Sequence, residues 1–274
     1  MLIFFKTKID ASGTYSMKST QLGSHIMRKF ILLSMVAALM IASCKKKALV
    51  KPDESTPVKF ITTEYATLGT YDTTGRPTYL AGTDVVTSGL RSYVSDMLPE
   101  RINVTTTHPD FVKNADIALT AKSDVYLTFV SAITGRSNTI GFYLYKTGNS
   151  PTKPQDIVKI TFLFPNARST KSGSLLVGDK VKLGTIEAGM SIGFVLLENG
   201  WDVSSKTINK NAVHFCSNKE LNPENNIDLK DHTVLFEYQA ENKFIIGFED
   251  INRTLASCDN DFNDVVMYAT IVKK

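Results

Sequence analysis

The chain has 274 residues, with 31 Lys and Arg against 27 Asp and Glu, four His and three Cys. That length suits one large domain or two small ones. The formal charge of +4 does not point to nucleic acid, because residues 1–43 hold five basic residues and one acidic residue, and without them 26 of each remain. In chain order, "MRKFILLSMVAALMIASC" (Met27–Cys44) comes first, with a basic head, an apolar run and then Ile41-Ala42-Ser43. This is the layout of a secretory signal, and the run is short for a membrane span. Residues 27–43 are therefore expected to be a signal peptide, and residues 1–26 a misassigned upstream segment. Residues 44–58, containing "CKKKALVKPDESTP" (Cys44–Pro57), read as a flexible tether. Residues 59–274 read as one β-sandwich domain.

"IASC" (Ile41–Cys44) resembles a bacterial lipoprotein lipobox. The resemblance implies cleavage before Cys44 and diacylation of that residue, so that acyl chains anchor the protein to a membrane. Lys45, Lys46 and Lys47 would add weak attraction to anionic headgroups. Outer-membrane attachment is expected. The lysines are not the acidic run associated with surface export, so the periplasmic and surface faces both stay open.

Beyond Lys59 the dominant pattern is strand-like. "DVYLTFVSA" (Asp124–Ala132) alternates Val125, Leu127 and Phe129 against Tyr126, Thr128 and Val130. Strands are also expected at Thr139–Lys146 and Asp156–Phe164, around the turn-rich "TGNSPTKPQ". Asp179–Ile186 and Met190–Gly200 read as a hairpin through "EAG", and His232–Gln239 and Lys243–Asp250 as another through "AEN". Asp264–Val272 is the last strand. The fold class expected is all-β, an antiparallel sandwich resembling a jelly roll with one or two short helices. One helix is expected in "DVVTSGLRSYVSDMLPE" (Asp84–Glu100), where Val85, Leu90, Tyr93, Val94 and Met97 share a face and Pro99 stops it. Cys216 and Cys258 read either as a disulfide, which an exported compartment permits, or as two small buried thiols.

"FEDINRTLASCDNDFNDVVMY" (Phe248–Tyr268) gathers Glu249, Asp250, Asp259, Asp261 and Asp264 between two strands. If those strands are antiparallel neighbours, all five carboxylates converge at one sheet end. Close carboxylates repel, and burying one unpaired is costly. A hard cation resolves this, and calcium accepts about six to eight oxygens in irregular geometry. Magnesium wants a more compact octahedron. Zinc has only His214 and Cys216, without a third ligand. "DNDFND" opens like an EF-hand loop but carries Asp264 where glycine is required and Thr270 where the closing glutamate belongs. Two metal-free readings stand beside calcium: neutralisation by Arg253, and local Asx turns.

"GFEDINRTLASCDNDFNDVVMYATI" resembles the C-terminal signature of DUF4114, in the form found in LruC-domain lipoproteins of Bacteroidota and spirochaetes. The likeness extends through "GDKVKLGTIEAGMSIGFVLLENGW" (Gly178–Trp201) and "ADIALTAKSDVYLTFVSA" (Ala115–Ala132) back to "MLPERINV" (Met97–Val104). It implies an exported β-rich module that binds calcium and has no established catalytic chemistry. It carries the family's acidic pattern onto Glu249, Asp250, Asp259, Asp261, Asn263 and Asp264.

The expected function is a non-enzymatic, lipid-anchored cell-envelope module with calcium (Ca2+) at its C-terminal hairpin and a surface for glycan or protein. An alternative is carbohydrate binding through exposed aromatics, with Trp201 as the ligand contact and Tyr71 and Tyr79 in the same polar region; Trp201 reads equally as core. A glycan-active hydrolase is the third reading, since the carboxylate cluster holds enough acids. No G-x-S-x-G, H-E-x-x-H, Walker or Rossmann motif is present.

Overall fold

The computed structural model describes residues 8–9, 15–16, 55–113, 115–168 and 175–274. The expected signal peptide, Cys44 and most of the tether lie outside the described residues. The chain divides into two units, Met1–Lys51 and Pro52–Lys274. In the first, β1 (Lys8–Ile9) and β2 (Tyr15–Ser16) pair antiparallel.

The second unit holds two sheets. One contains β3 (Glu64–Thr67), β4 (Ile117–Ala118), β6 (Thr139–Lys146), β7 (Lys159–Phe164), β9 (Met190–Leu197) and β12 (His214–Cys216). Its order is β12-β9-β6-β7-β3, with β4 also on β9. The other contains β5 (Ser123–Ala132), β8 (Lys180–Ile186), β13 (Thr233–Tyr238), β14 (Lys243–Phe248) and β15 (Val265–Lys273), in the order β13-β14-β15-β5-β8. Pairing is antiparallel except for β3 on β7. A two-stranded ribbon, β10 (Trp201–Asp202) with β11 (Thr207–Ile208), stands apart from both. The all-β sandwich is thus observed.

Period-two alternation explains the layers. Val125, Leu127 and Phe129 of β5 face Ile140 and Phe142 of β6, Ile192 and Phe194 of β9, and Ile246 and Met267 in one buried core between the sheets. The opposite face of the five-stranded sheet is covered by α1 (Ser88–Met97), whose Leu90 and Val94 pack with Leu98, Val234, Phe236, Ile245 and Val266. Thr87 caps α1 by accepting the Leu90 N–H at 3.0 Å. Helix α2 (Val104–Thr107) follows, with Val104 fully buried.

Two expectations are corrected. Val85 is 76% exposed and precedes α1, so it is not on the helix's buried face. Asp179–Ile186 and Met190–Gly200 do not form a hairpin: β8 pairs with β5, and β9 pairs with β6 and β12. The short Glu187-Ala188-Gly189 link instead crosses from one sheet to the other. Val181, Leu183, Ile192 and Phe194 meet in the core across it. Burial of both inner faces favours this arch over a two-stranded pairing.

Candidate metal site in the acidic loop

Residues 249–264 join β14 to β15, and the register pairs Phe248 with Val265. Glu249 and Asp250 therefore leave the sheet where Asp264 enters it, as the alternation of both strands predicted. The loop lies tightly against β14. A Cβ on Gly247 would overlap the Phe262 carbonyl and lie 2.9 Å from Leu98 Cδ1. Asn260 and Phe262 adopt left-handed backbone, at φ 61° and 56°. For Phe this conformation is costly, and complete burial of its ring among Leu98, Val104 and Val266 offsets that cost.

Asp250, 1% exposed, has a full set of partners. Its Oδ2 accepts the Thr134 hydroxyl and the Asn138 amide, each at 2.6 Å. Its Oδ1 faces Arg136 Nη1 at 3.3 Å, and Arg136 Nε also donates to Glu198 at 3.0 Å. The Asp250 backbone N–H donates to Asp264 Oδ2 at 2.9 Å. Arg136 comes from the β5–β6 connection and was not foreseen. Arg253, the expected neutraliser, is buried and donates instead to Asn260 Oδ1 at 2.7 Å and to the Asp231 carbonyl at 2.9 Å.

The other acids are less well compensated. Oxygens of Asp259, Asp261 and Glu100 lie within 4.8 Å of one another, a grouping found among the described residues. Glu100 arrives from the α1–α2 connection. Asp261, 2% exposed, accepts the Arg101 N–H at 2.9 Å and, in an Asx turn, the Asn263 N–H at 3.1 Å. Asn263 Nδ2 points to Leu98 O and Glu100 Oε2, each at 3.4 Å. Glu249, 1% exposed, is approached by the Cys258 thiol and the Phe262 backbone N–H, yet its Oε2 is buried with no partner. Burial raises the pKa of Glu249, with Asp259 and Asp261 adding to the effect. Burial likewise raises Asp264, followed by repulsion from Asp250 and Glu249. Asp261 is shifted the same way, chiefly by burial. Repulsion links Glu249 to Asp259 and Asp261, and Asp264 to Asp250, Glu249 and Asp261, while Glu100 joins Asp259 and Asp261 in the close grouping.

A second layer fixes the loop base. His232 is fully buried and stacks on Phe215 at 3.9 Å. Its Nδ1 bonds the Glu249 carbonyl at 3.0 Å, and its Nε2 bonds Glu224 Oε1 at 2.9 Å. A carbonyl only accepts, so Nδ1 carries a proton; the second contact then needs a further proton, held by the imidazole or by Glu224.

A hard cation fits this donor set. It is built of carboxylate oxygens from two distant chain segments, and one buried oxygen lacks any hydrogen-bond donor. Two readings that the sequence left open each take their second form. Cys216 and Cys258 are both free thiols, Cys216 buried at the end of β12 and Cys258 engaged with Glu249. Trp201 is 3% exposed, with its ring against Gly75 and edge-on to Tyr71, so it offers no face to a ligand.

Residues 186–271 match the family model described as Domain of unknown function (DUF4114). No curated protein and no solved structure matches the chain. The matched span runs from the end of β8 into β15 and includes the whole acidic loop, while Glu100 and Arg136 lie upstream of it. The similarity to DUF4114 therefore rests on residues 186–271, which carry the acidic loop.

Proposed function

We propose that this protein is a non-enzymatic, lipid-anchored module of the cell envelope whose acidic loop holds calcium and whose surface presents a binding site for glycan or protein. The observations that carry the ion are the grouped oxygens of Glu100, Asp259 and Asp261 and the buried, partnerless Oε2 of Glu249, whose carboxyl Asp259 and Asp261 repel. These four residues would hold the ion, with Asp264 nearby. The ion would supply the positive charge that offsets their repulsion. Asp250 instead fixes the loop base through Arg136. The anchor rests on the sequence of Met27–Cys44, with outer-membrane attachment through Cys44. A non-catalytic role is favoured because the clustered acids would be engaged by the cation and are poorly placed to act as acid and base.

The test is thermal unfolding of metal-stripped protein with and without calcium. A calcium concentration one hundred times Kd stabilises by about 2.7 kcal/mol. This corresponds to a rise in Tm of about 5–11 °C for a domain of about 150–250 residues. Magnesium at the same concentration should do less. An identical melting curve in calcium and EGTA refutes the ion.

A further inference from the structure

The sequence left Trp201 as either a ligand contact or core, and the structure buries it against Tyr71. Trp201 opens the β10–β11 ribbon, where it pairs with Ile208. Its buried ring meets Tyr71 edge-on, with centroids 5.5 Å apart and planes at 84°. Gly75, at φ 83°, lets the chain pass over that ring, since a Cβ there would lie 3.1 Å from Trp201 Cδ2. Asp72 Oδ1 accepts the N–H groups of Thr74 at 2.7 Å and Arg76 at 3.1 Å, and Tyr71 bridges to Pro77. Tyr71 is thus held in place from below and along its own loop.

Beside it runs a groove of about 500 Å³ between edge strand β3 and the ribbon, lined by Tyr65, Thr67, Tyr71, Thr207, Ile208 and Lys210. Tyr65 is as firmly set as Tyr71. Its ring stacks on buried Phe162 at 5.6 Å, and its hydroxyl bonds His214 Nε2 at 2.9 Å. Both tyrosines are partly buried and line the groove. Two rigid aromatic faces flanked by threonine hydroxyls suit a pyranose ring, which has apolar C–H faces and polar edges. Among the described lining residues Lys210 is the one charged side chain. It is exposed and lies 5.7 Å from the Tyr65 centroid. A neutral sugar would leave that ammonium without a counter-charge, whereas a uronic acid would supply one.

We propose that this groove binds an acidic oligosaccharide, with Tyr65 and Tyr71 against pyranose faces and Lys210 at a uronate carboxylate. The proposal rests on the binding half of the function above and names its site and ligand class. It is independent of the ion, whose residues belong to the β14–β15 loop and the α1–α2 connection.

The test is titration calorimetry on the full chain, with trigalacturonate and a hyaluronan tetrasaccharide against neutral cellotriose and oligoglutamate. The acidic sugars should bind more tightly than either control. Lys210→Ala should weaken them about tenfold or more, the loss of one charge-assisted contact, and leave cellotriose unchanged. Tyr71→Ala should weaken every sugar. Because Lys210 is exposed, its variant should keep the wild-type Tm, so a loss of binding is not a loss of fold. Equal binding of acidic and neutral sugars overturns the proposal, as does wild-type affinity in Lys210→Ala. Oligoglutamate binding as tightly as the sugars also overturns it, since charge alone would then suffice. Run in calcium and in EGTA, the series separates the two readings. A calcium-dependent Tm without sugar binding removes only the groove, and sugar binding without a calcium effect removes only the ion.

Discussion

Glu249→Gln should change stability in opposite directions with and without calcium. The wild-type carboxyl is 1% exposed, its Oε2 has no donor, and burial raises its pKa. An unsatisfied buried acceptor costs about 1–3 kcal/mol, and more when charged. Glutamine keeps the shape, removes the charge and offers an amide that neighbouring Asp259 or Asp261 can accept. In EGTA at neutral pH the variant should therefore be more stable by about 1–2 kcal/mol, a rise in Tm of about 2–8 °C. In calcium the same change removes a charged ligand. A tenfold loss of affinity takes about 1.4 kcal/mol from the stabilisation by calcium, so the increment in Tm should shrink by about 3–6 °C. Differential scanning fluorimetry of both proteins in both buffers gives the four values. A lower Tm for the variant in EGTA would show that Glu249 is compensated without metal, and equal calcium increments would show that it is not a ligand.

Arg136→Ala leaves Asp250 buried with only Thr134 and Asn138. Breaking a buried ion pair costs about 3–5 kcal/mol, and with the Arg136 side chain 32% exposed about 2–3 kcal/mol is expected, read by urea unfolding; an unchanged midpoint refutes the clamp. Metal-free protein should also lose stability as pH rises. Glu249 and Asp264 bind protons in the folded state above their ordinary values of 4.5 and 3.8, so their contribution is full below those values and is lost as pH rises through about 7 for Glu249 and about 9 for Asp264. His214, lowered by burial to about 4, acts with the opposite sign between pH 4 and 6.5. The informative quantity is therefore the difference in Tm between wild type and Glu249→Gln, which should widen from pH ~4.5 upward; a constant difference contradicts the assignment. Gly247→Ala drives a methyl into the Phe262 carbonyl, and should cost about 1–3 kcal/mol and weaken calcium binding with it. A variant with normal stability would mean the loop does not need its close seat on β14.

The acidic loop was legible because its logic is local. Strand alternation in Lys243–Phe248 and Val265–Lys273 sets which residues end one strand and begin the next, and the observed register follows it. The αL turn at Asn260 and the Asx turn at Asp261 likewise draw on Asn and Asp chemistry written in the loop itself. Arg136, Glu100, Glu224 and His232 were not singled out, because each reaches the loop from another element. The signal available for Glu100 was weak: a carboxylate just after a proline-stopped helix, inside a stretch resembling the family. Arg253 failed as the neutraliser because carbonyls and an amide occupy its guanidinium. Trp201 shows the same limit, since a tryptophan after a glycine turn reads equally as exposed platform or buried support.

The sequence by itself determined eight of the strands, the all-β class, the helix stopped near Pro99 and the order of acids along the β14–β15 loop. These follow from side-chain period and from strands joined by a single loop, whereas β3, β4, β10–β12 and the Thr87 cap came only with the structure. Tertiary structure decided which short link is a hairpin and which crosses between sheets. It also decided that Asp250 has a cation of its own while Glu249 does not, and that Trp201 stands behind Tyr71. Such outcomes turn on contacts between distant segments, where burial and the competition for hydrogen-bond partners settle what local pattern leaves open.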